Sequence, residues 1–205
     1  LITHQLLYLP SELFTVNPEQ LSQPNSLKEG LRLEFIAHRF SEALRFYQDK
    51  TLKTTNPAEK IQTLAASARL YNKTNQPDKA KALYDEMRKD YSKNLLNGQI
   101  PLALMASLEI LKINRAIGEN DEIRNNSQKC LELLLHPPCE YDVNQFDMFY
   151  QSFKEIIHET DPVIDSLFQK IDIQRARTDY LIRIISGPDL ITANSNDHFN
   201  SDKNG

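Results

Sequence analysis

The 205-residue chain is 40% apolar and 25% charged, with a formal net charge of −4 from 24 basic and 28 acidic side chains. This is the usage of a globular domain large enough to bury a core. The lack of a basic excess argues against nucleic acid as a partner, and no apolar run in the sequence approaches the ~20 residues that span a bilayer.

Residues 1–26 are interrupted by Pro10, Pro18 and Pro24 and read as an extended arm with turns. Leu13, Phe14 and Val16 make it too apolar for a free tail, so it is expected to pack on the domain. The opening Leu1-Ile2-Thr3-His4 has no positively charged leader and no cleavage pattern, which reads as an excised fragment or a processed chain.

From Leu27 to Ile185 the apolar residues recur at helical spacing, which predicts an all-α domain over 27–186. Leu27, Leu31, Glu34, Phe35 and His38 share the face of a first helix, and Ala43, Leu44, Phe46 and Tyr47 continue in a second. Asn56-Pro57 is an N-cap followed by a first-turn proline, opening a helix through Ile61, Leu64, Ala68 and Tyr71. Pro77 opens the next, with Ala80, Leu83, Tyr84 and Met87 facing inward. Pro101 starts a longer helix ended by Gly118 and Asn120. Ile123 to Leu135 form the next helix, stopped by Pro137-Pro138. A helix from about Asn144 to His158 precedes Asp161-Pro162, which opens a final helix over 162–186, roughly 37 Å long. Gly187-Pro188 stops it, and 187–205 read as a polar, disordered tail.

Cys130 and Cys139 fit neither a zinc ribbon nor a Cys-x-x-Cys redox pair. Free thiols are one reading; a disulfide closing the Pro137-Pro138 turn, in an oxidising compartment, is the other. The five histidines stand far apart with no metal-ligand spacing, and no Gly-x-Ser-x-Gly, Gly-x-Gly or activated-cysteine signature occurs. The sequence therefore predicts no catalytic residues, no metal and no cofactor.

The spacing of small and aromatic residues sets the helix pairing. Leu64, Ala68 and Tyr71 on one helix are followed by Ala80 and Tyr84 on the next; Ala43 and Tyr47 stand 37 residues before Ala80 and Tyr84. This resembles the tetratricopeptide repeat (TPR), with one good repeat between two degenerate ones, and implies a TPR-like superhelix of antiparallel helix hairpins. In that family the concave groove is lined by first-helix residues, which map here to Gln62, Ala65, Arg69, Asn72 and Lys73. Arg69, Asn72 and Lys73 share one face and offer donors suited to a carboxylate or acidic peptide.

His4-Gln5-Leu6-Leu7-Tyr8-Leu9-Pro10, Leu33-Glu34-Phe35, Glu42-Ala43-Leu44-Arg45-Phe46-Tyr47, Ala68-Arg69-Leu70-Tyr71 and Lys79-Ala80-Lys81-Ala82-Leu83-Tyr84 together resemble the extracytoplasmic sensor region of bacterial membrane-bound sensor histidine kinases. The likeness covers about residues 1–115. It implies a periplasmic, non-catalytic ligand- or peptide-binding domain, with membrane contact only through flanking segments and a kinase core elsewhere, and it admits a homodimer. Gly187-Pro188 and the polar tail depart from an approach to a membrane helix. The alternative is a soluble TPR scaffold, cytoplasmic or periplasmic, that joins protein partners.

Overall fold

The computed structural model describes residues 27–97, 100–140, 143–157 and 161–186. The expected N-terminal arm, 1–26, and polar tail, 187–205, lie outside the described residues.

The fold is all-α. Its elements are α1 (Lys28–Leu31), a π-helical turn (Arg32–Ile36), α2 (Phe40–Lys53), α3 (Pro57–Lys73), α4 (Pro77–Asp90), β1 (Leu95–Leu96), β2 (Ile100–Pro101), α5 (Leu102–Ile117), α6 (Asn120–Leu135), α7 (Val143–Ile156) and α8 (Pro162–Ser186). Helices α2 to α6 each pack on the next in sequence. Beyond α6 the pattern alternates: α7 packs on α5, and α8 on α6. Short connections force this, because a helix entering after a few residues must lie against what its predecessor leaves uncovered.

Local chemistry sets the boundaries. Asn56 Oδ1 accepts from the Ala58 and Glu59 amides at 2.9 and 3.4 Å, capping α3. Gly118 ends α5 in the left-handed region, φ 76°. Asp161 caps α8: its Oδ1 accepts from the Val163 amide at 2.8 Å and its Oδ2 from Arg124 Nε at 2.7 Å. These bonds, the amide's first, hold the Asp161 carboxyl below the usual carboxylate range.

Two local features differ from the sequence reading. Pro101 opens α5 as its N-cap but also belongs to a short strand that the sequence did not predict. It pairs with Leu95 while Leu96 pairs with Ile100, so a two-residue antiparallel bridge precedes α5. The expected first helix is also not regular. After one α-turn it widens into the π-turn, with the Ala37 amide donating to the Arg32 carbonyl at 2.9 Å, and ends at His38, φ 52°. This widening brings Leu33 and Glu34 into the interior, while His38 is exposed.

One core cluster runs from Ile61 on α3 to Ile171 on α8, through Leu104, Leu108, Leu111, Leu131, Phe149 and Phe153. A smaller one joins Leu33, Ala43, Tyr47, Ala66 and Leu70. Ala43, Ala68 and Ala80 are fully buried, with Tyr47 and Tyr84 buried on the same helices.

Gly30 sits where no side chain fits. A Cβ there would lie 2.5 Å from Tyr47 Cε1 and 2.6 Å from Phe46 Cδ1, atoms of rings packed into the smaller cluster. Gly30→Ala is expected to destabilise the fold by about 1–3 kcal/mol through overpacking. A shift in the midpoint of chemical denaturation measures it, and an unchanged midpoint would mean that α1 is free to move off α2.

Candidate functional site

The polar face expected to receive a ligand is occupied by the protein itself. Arg69 is buried, with 7% of its surface exposed, and its guanidinium grips Glu34: Nε donates to Oε1 at 2.7 Å and Nη2 to Oε2 at 2.6 Å. Lys73 Nζ reaches Glu34 Oε1 at 3.3 Å and lies over the Phe35 ring, 4.9 Å from its centroid. The Tyr47 hydroxyl donates to Glu34 Oε2 at 3.3 Å. Gln62 instead donates to Asn97 Oδ1 at 3.0 Å, and Asn72 is exposed.

The four residues therefore do not converge on an empty place. Arg69 and Lys73 do share a face, as their spacing requires, but the carboxylate they are suited to hold is Glu34, brought in by the π-turn. Burial alone would lower the Arg69 pKa, yet the bonds and charge of Glu34 outweigh it and raise the value. Burial, followed by the Glu34 charge, raises the Tyr47 pKa. The cluster is a structural tie between the π-turn, α2 and α3.

The two cysteines are free thiols rather than a disulfide. Cys130 is fully buried in the core on α6, while Cys139 lies half-buried in the turn beyond it. Burial pushes the Cys130 thiol up to about 12, which leaves it unreactive. Among the described residues no group of three or more His, Cys, Asp or Glu could hold a metal ion, and no helix is long and apolar enough to cross a membrane.

A groove of about 1060 Å³ opens elsewhere, between the end of α4, the second half of α6 and the middle of α8. Leu133 and Leu135 of α6 and Leu167 and Ile173 of α8 give it an apolar lining. Around them stand Arg88 and Lys89 of α4, Lys129 of α6, and Lys170 and Arg177 of α8, with His136 at the end of α6. Glu132 is the one carboxylate among the described lining residues, and its Oε1 accepts from Gln128 Nε2 at 2.8 Å.

Arg88 is engaged, paired with Asp85 and donating to Asn126 Oδ1 at 3.1 Å. Lys89, Lys129, Lys170 and Arg177 form no ion pair among the described residues. In a chain of net charge −4 this is a local reversal of sign. A ligand with carboxylates and some apolar surface would meet complementary groups on three walls.

The α8 wall is held from behind by α7. Tyr150 Oη donates to Asp172 Oδ1 at 2.6 Å, Arg175 pairs with Asp147 at 2.7 Å, and the Arg175 guanidinium lies 5.1 Å from the centre of the Tyr150 ring. These ties fix α8 as it passes beyond its last buried core residue in the described chain, Ile171.

Comparison of the chain with protein-family models, curated proteins and solved structures returns no match. The resemblance to sensor regions stands on the residues quoted for it alone.

The residues of the groove were not picked out by the sequence reading. They come from three helices separated in sequence by about 40 residues each, and only the packing of α8 on α6 brings them together. The available signal was the seven-residue spacing shared by Lys129 with His136 and by Lys170 with Arg177.

Proposed function

We propose that this chain is a non-catalytic binding domain with TPR-like helix pairing, whose groove between α4, α6 and α8 receives an acidic ligand. The observation that carries this reading is the set of four cations, Lys89, Lys129, Lys170 and Arg177, arranged about an apolar lining without ion-pair partners among the described residues. Two supporting points weigh against catalysis. The side chains with large shifts in titration, including Tyr47, Tyr84 and Cys130, do not line the groove. Its carboxylate, Glu132, has no second carboxylate beside it among the described lining residues.

In an extracytoplasmic receptor of the kind the resemblance implies, occupation of this groove would be the signal, and α8 the element that carries it. A soluble scaffold would use the same groove to hold a partner. Both roles need the binding step, so that step comes first.

A fluorescein-labelled oligoglutamate peptide is the probe. Its fluorescence anisotropy is expected to rise on titration with the protein at about 50 mM salt, with affinity falling at least about tenfold by about 500 mM as the charges are screened. Lys129→Glu with Lys170→Glu, both at the groove, should abolish the rise while leaving helical circular dichroism unchanged. No binding at low salt, or equal binding by the double variant, would contradict the proposal.

A further inference from the structure

We propose that the natural occupant of the groove is an acidic amphipathic helix of a partner protein, laid along α6 and α8. The inference rests on the acidic-ligand reading and specifies the shape of the ligand.

Backbone chemistry favours a helix over an extended peptide. An extended segment brings unpaired N–H and C=O groups that must find partners when buried. The usual partner is an open sheet edge. Here the groove is walled by α4, α6 and α8, whose N–H groups at the lining residues are bonded within each helix; only last-turn carbonyls of α4 and α6 lack an intrahelical donor. β1 and β2 do not line it. The only side-chain oxygens among the described lining residues are those of Glu132 and Gln174, too few to accept from the N–H groups of an extended backbone. A helix bonds its own backbone and asks the groove only for side-chain contacts.

Length agrees. The α8 lining residues run from Leu167 to Arg177, about 15 Å at about 1.5 Å per residue, which matches two and a half to three turns of a ligand helix. This is the length of contact over which helix-in-groove recognition sets its i, i+3, i+4 and i+7 anchors.

The placement of charge gives the strongest argument. Along α6 to its C-cap the groove presents Lys129, Leu133 and His136; on α8 it presents Lys170, Ile173 and Arg177. Each wall therefore carries two basic-type side chains seven residues apart with apolar residues between them, and the α6 wall also carries the Glu132 carboxylate. Seven residues are about two helical turns, or about 10.5 Å. A ligand helix with Leu-type residues on one stripe, and Asp or Glu flanking it at i and i+7, would set its acidic residues against both walls in register.

The test uses two labelled peptides of identical composition, Leu and Glu with neutral polar residues. One has Leu at helical spacing with Glu flanking at i and i+7; the other alternates Leu and Glu at strand spacing. The helical-period peptide is expected to bind at least about tenfold more tightly at low salt and to gain helical circular dichroism on binding. Lys170→Glu with Arg177→Glu, at exposed positions of α8, should remove that binding without loss of fold. Equal, salt-sensitive affinity of the two peptides would overturn the helix proposal while leaving the acidic-ligand reading in place. If neither peptide binds, the acidic-ligand reading falls and this inference with it. Tight binding that survives the double substitution would place the helix elsewhere on the molecule and overturn the proposal.

Discussion

Glu34→Ala is expected to lower folding stability by about 3–5 kcal/mol, as breaking a buried ion pair from one side does. The side chains of Glu34 and Arg69 are 0% and 8% exposed. With the carboxylate gone, the guanidinium keeps its charge inside the protein and loses both of its bonds to Glu34, and the Tyr47 hydroxyl loses its acceptor. Little of this cost reflects the net worth of the pair, since two charges must be desolvated to make it. A matched apolar replacement, Glu34→Leu with Arg69→Met, should therefore recover most of the loss. Chemical denaturation of the three proteins measures both effects. A loss below about 1 kcal/mol in Glu34→Ala would mean that Arg69 finds water when its partner is removed, and that the π-turn does not seal the site.

Phe153→Ala is expected to cost about 3–5 kcal/mol and to do so for the whole domain. Phe153 is fully buried on α7, its ring centre 6.2 Å from that of Phe149. It belongs to the cluster that begins at Ile61 on α3 and ends at Ile171 on α8. Because that cluster is continuous, the cavity left on α7 should lower the unfolding midpoint of α3 and α4 as much as that of α7 itself. Hydrogen exchange read along the chain checks this. Loss of protection in α7 and α8 alone, with α3 and α4 unchanged, would divide the domain into two independently unfolding parts.

The difference between what was legible and what was not follows from the range over which each feature is determined. Helix ends depend on a few neighbouring residues. Asn56-Pro57, Pro77, Gly118 and Asp161-Pro162 therefore mark their boundaries in the sequence as they do in the structure. The same short range explains why Arg69, Asn72 and Lys73 could be placed on one helix face.

What faces them could not be read, because it depends on the π-turn 35 residues earlier. A regular helix puts Glu34 on the same stripe as Leu27 and Leu31; the π-turn buries it with Leu33 while leaving Leu31 only partly covered. A glutamate on the otherwise largely apolar face of the first helix was the trace of this in the sequence, and it marks the internal partner of Arg69.

The groove was illegible for a similar reason. Lys129 and Lys170 each look like an ordinary solvated helix residue when taken alone. Their meaning depends on α8 packing against α6, which no local pattern specifies. The acidic ligand proposed above keeps the chemistry expected from the sequence, with the groove among α4, α6 and α8 proposed as its place instead of the α3 face bearing Arg69.

The most direct measurement of that claim is a map of where an acidic ligand lands. Backbone amide shifts of isotopically labelled protein, followed while the oligoglutamate peptide is added at low salt, report contact residue by residue. The account predicts perturbations gathered at Arg88 and Lys89, at Lys129 to His136 and at Lys170 to Arg177, with Gln62, Arg69 and Lys73 unmoved. Shifts centred on the α3 residues, with the groove silent, would contradict it.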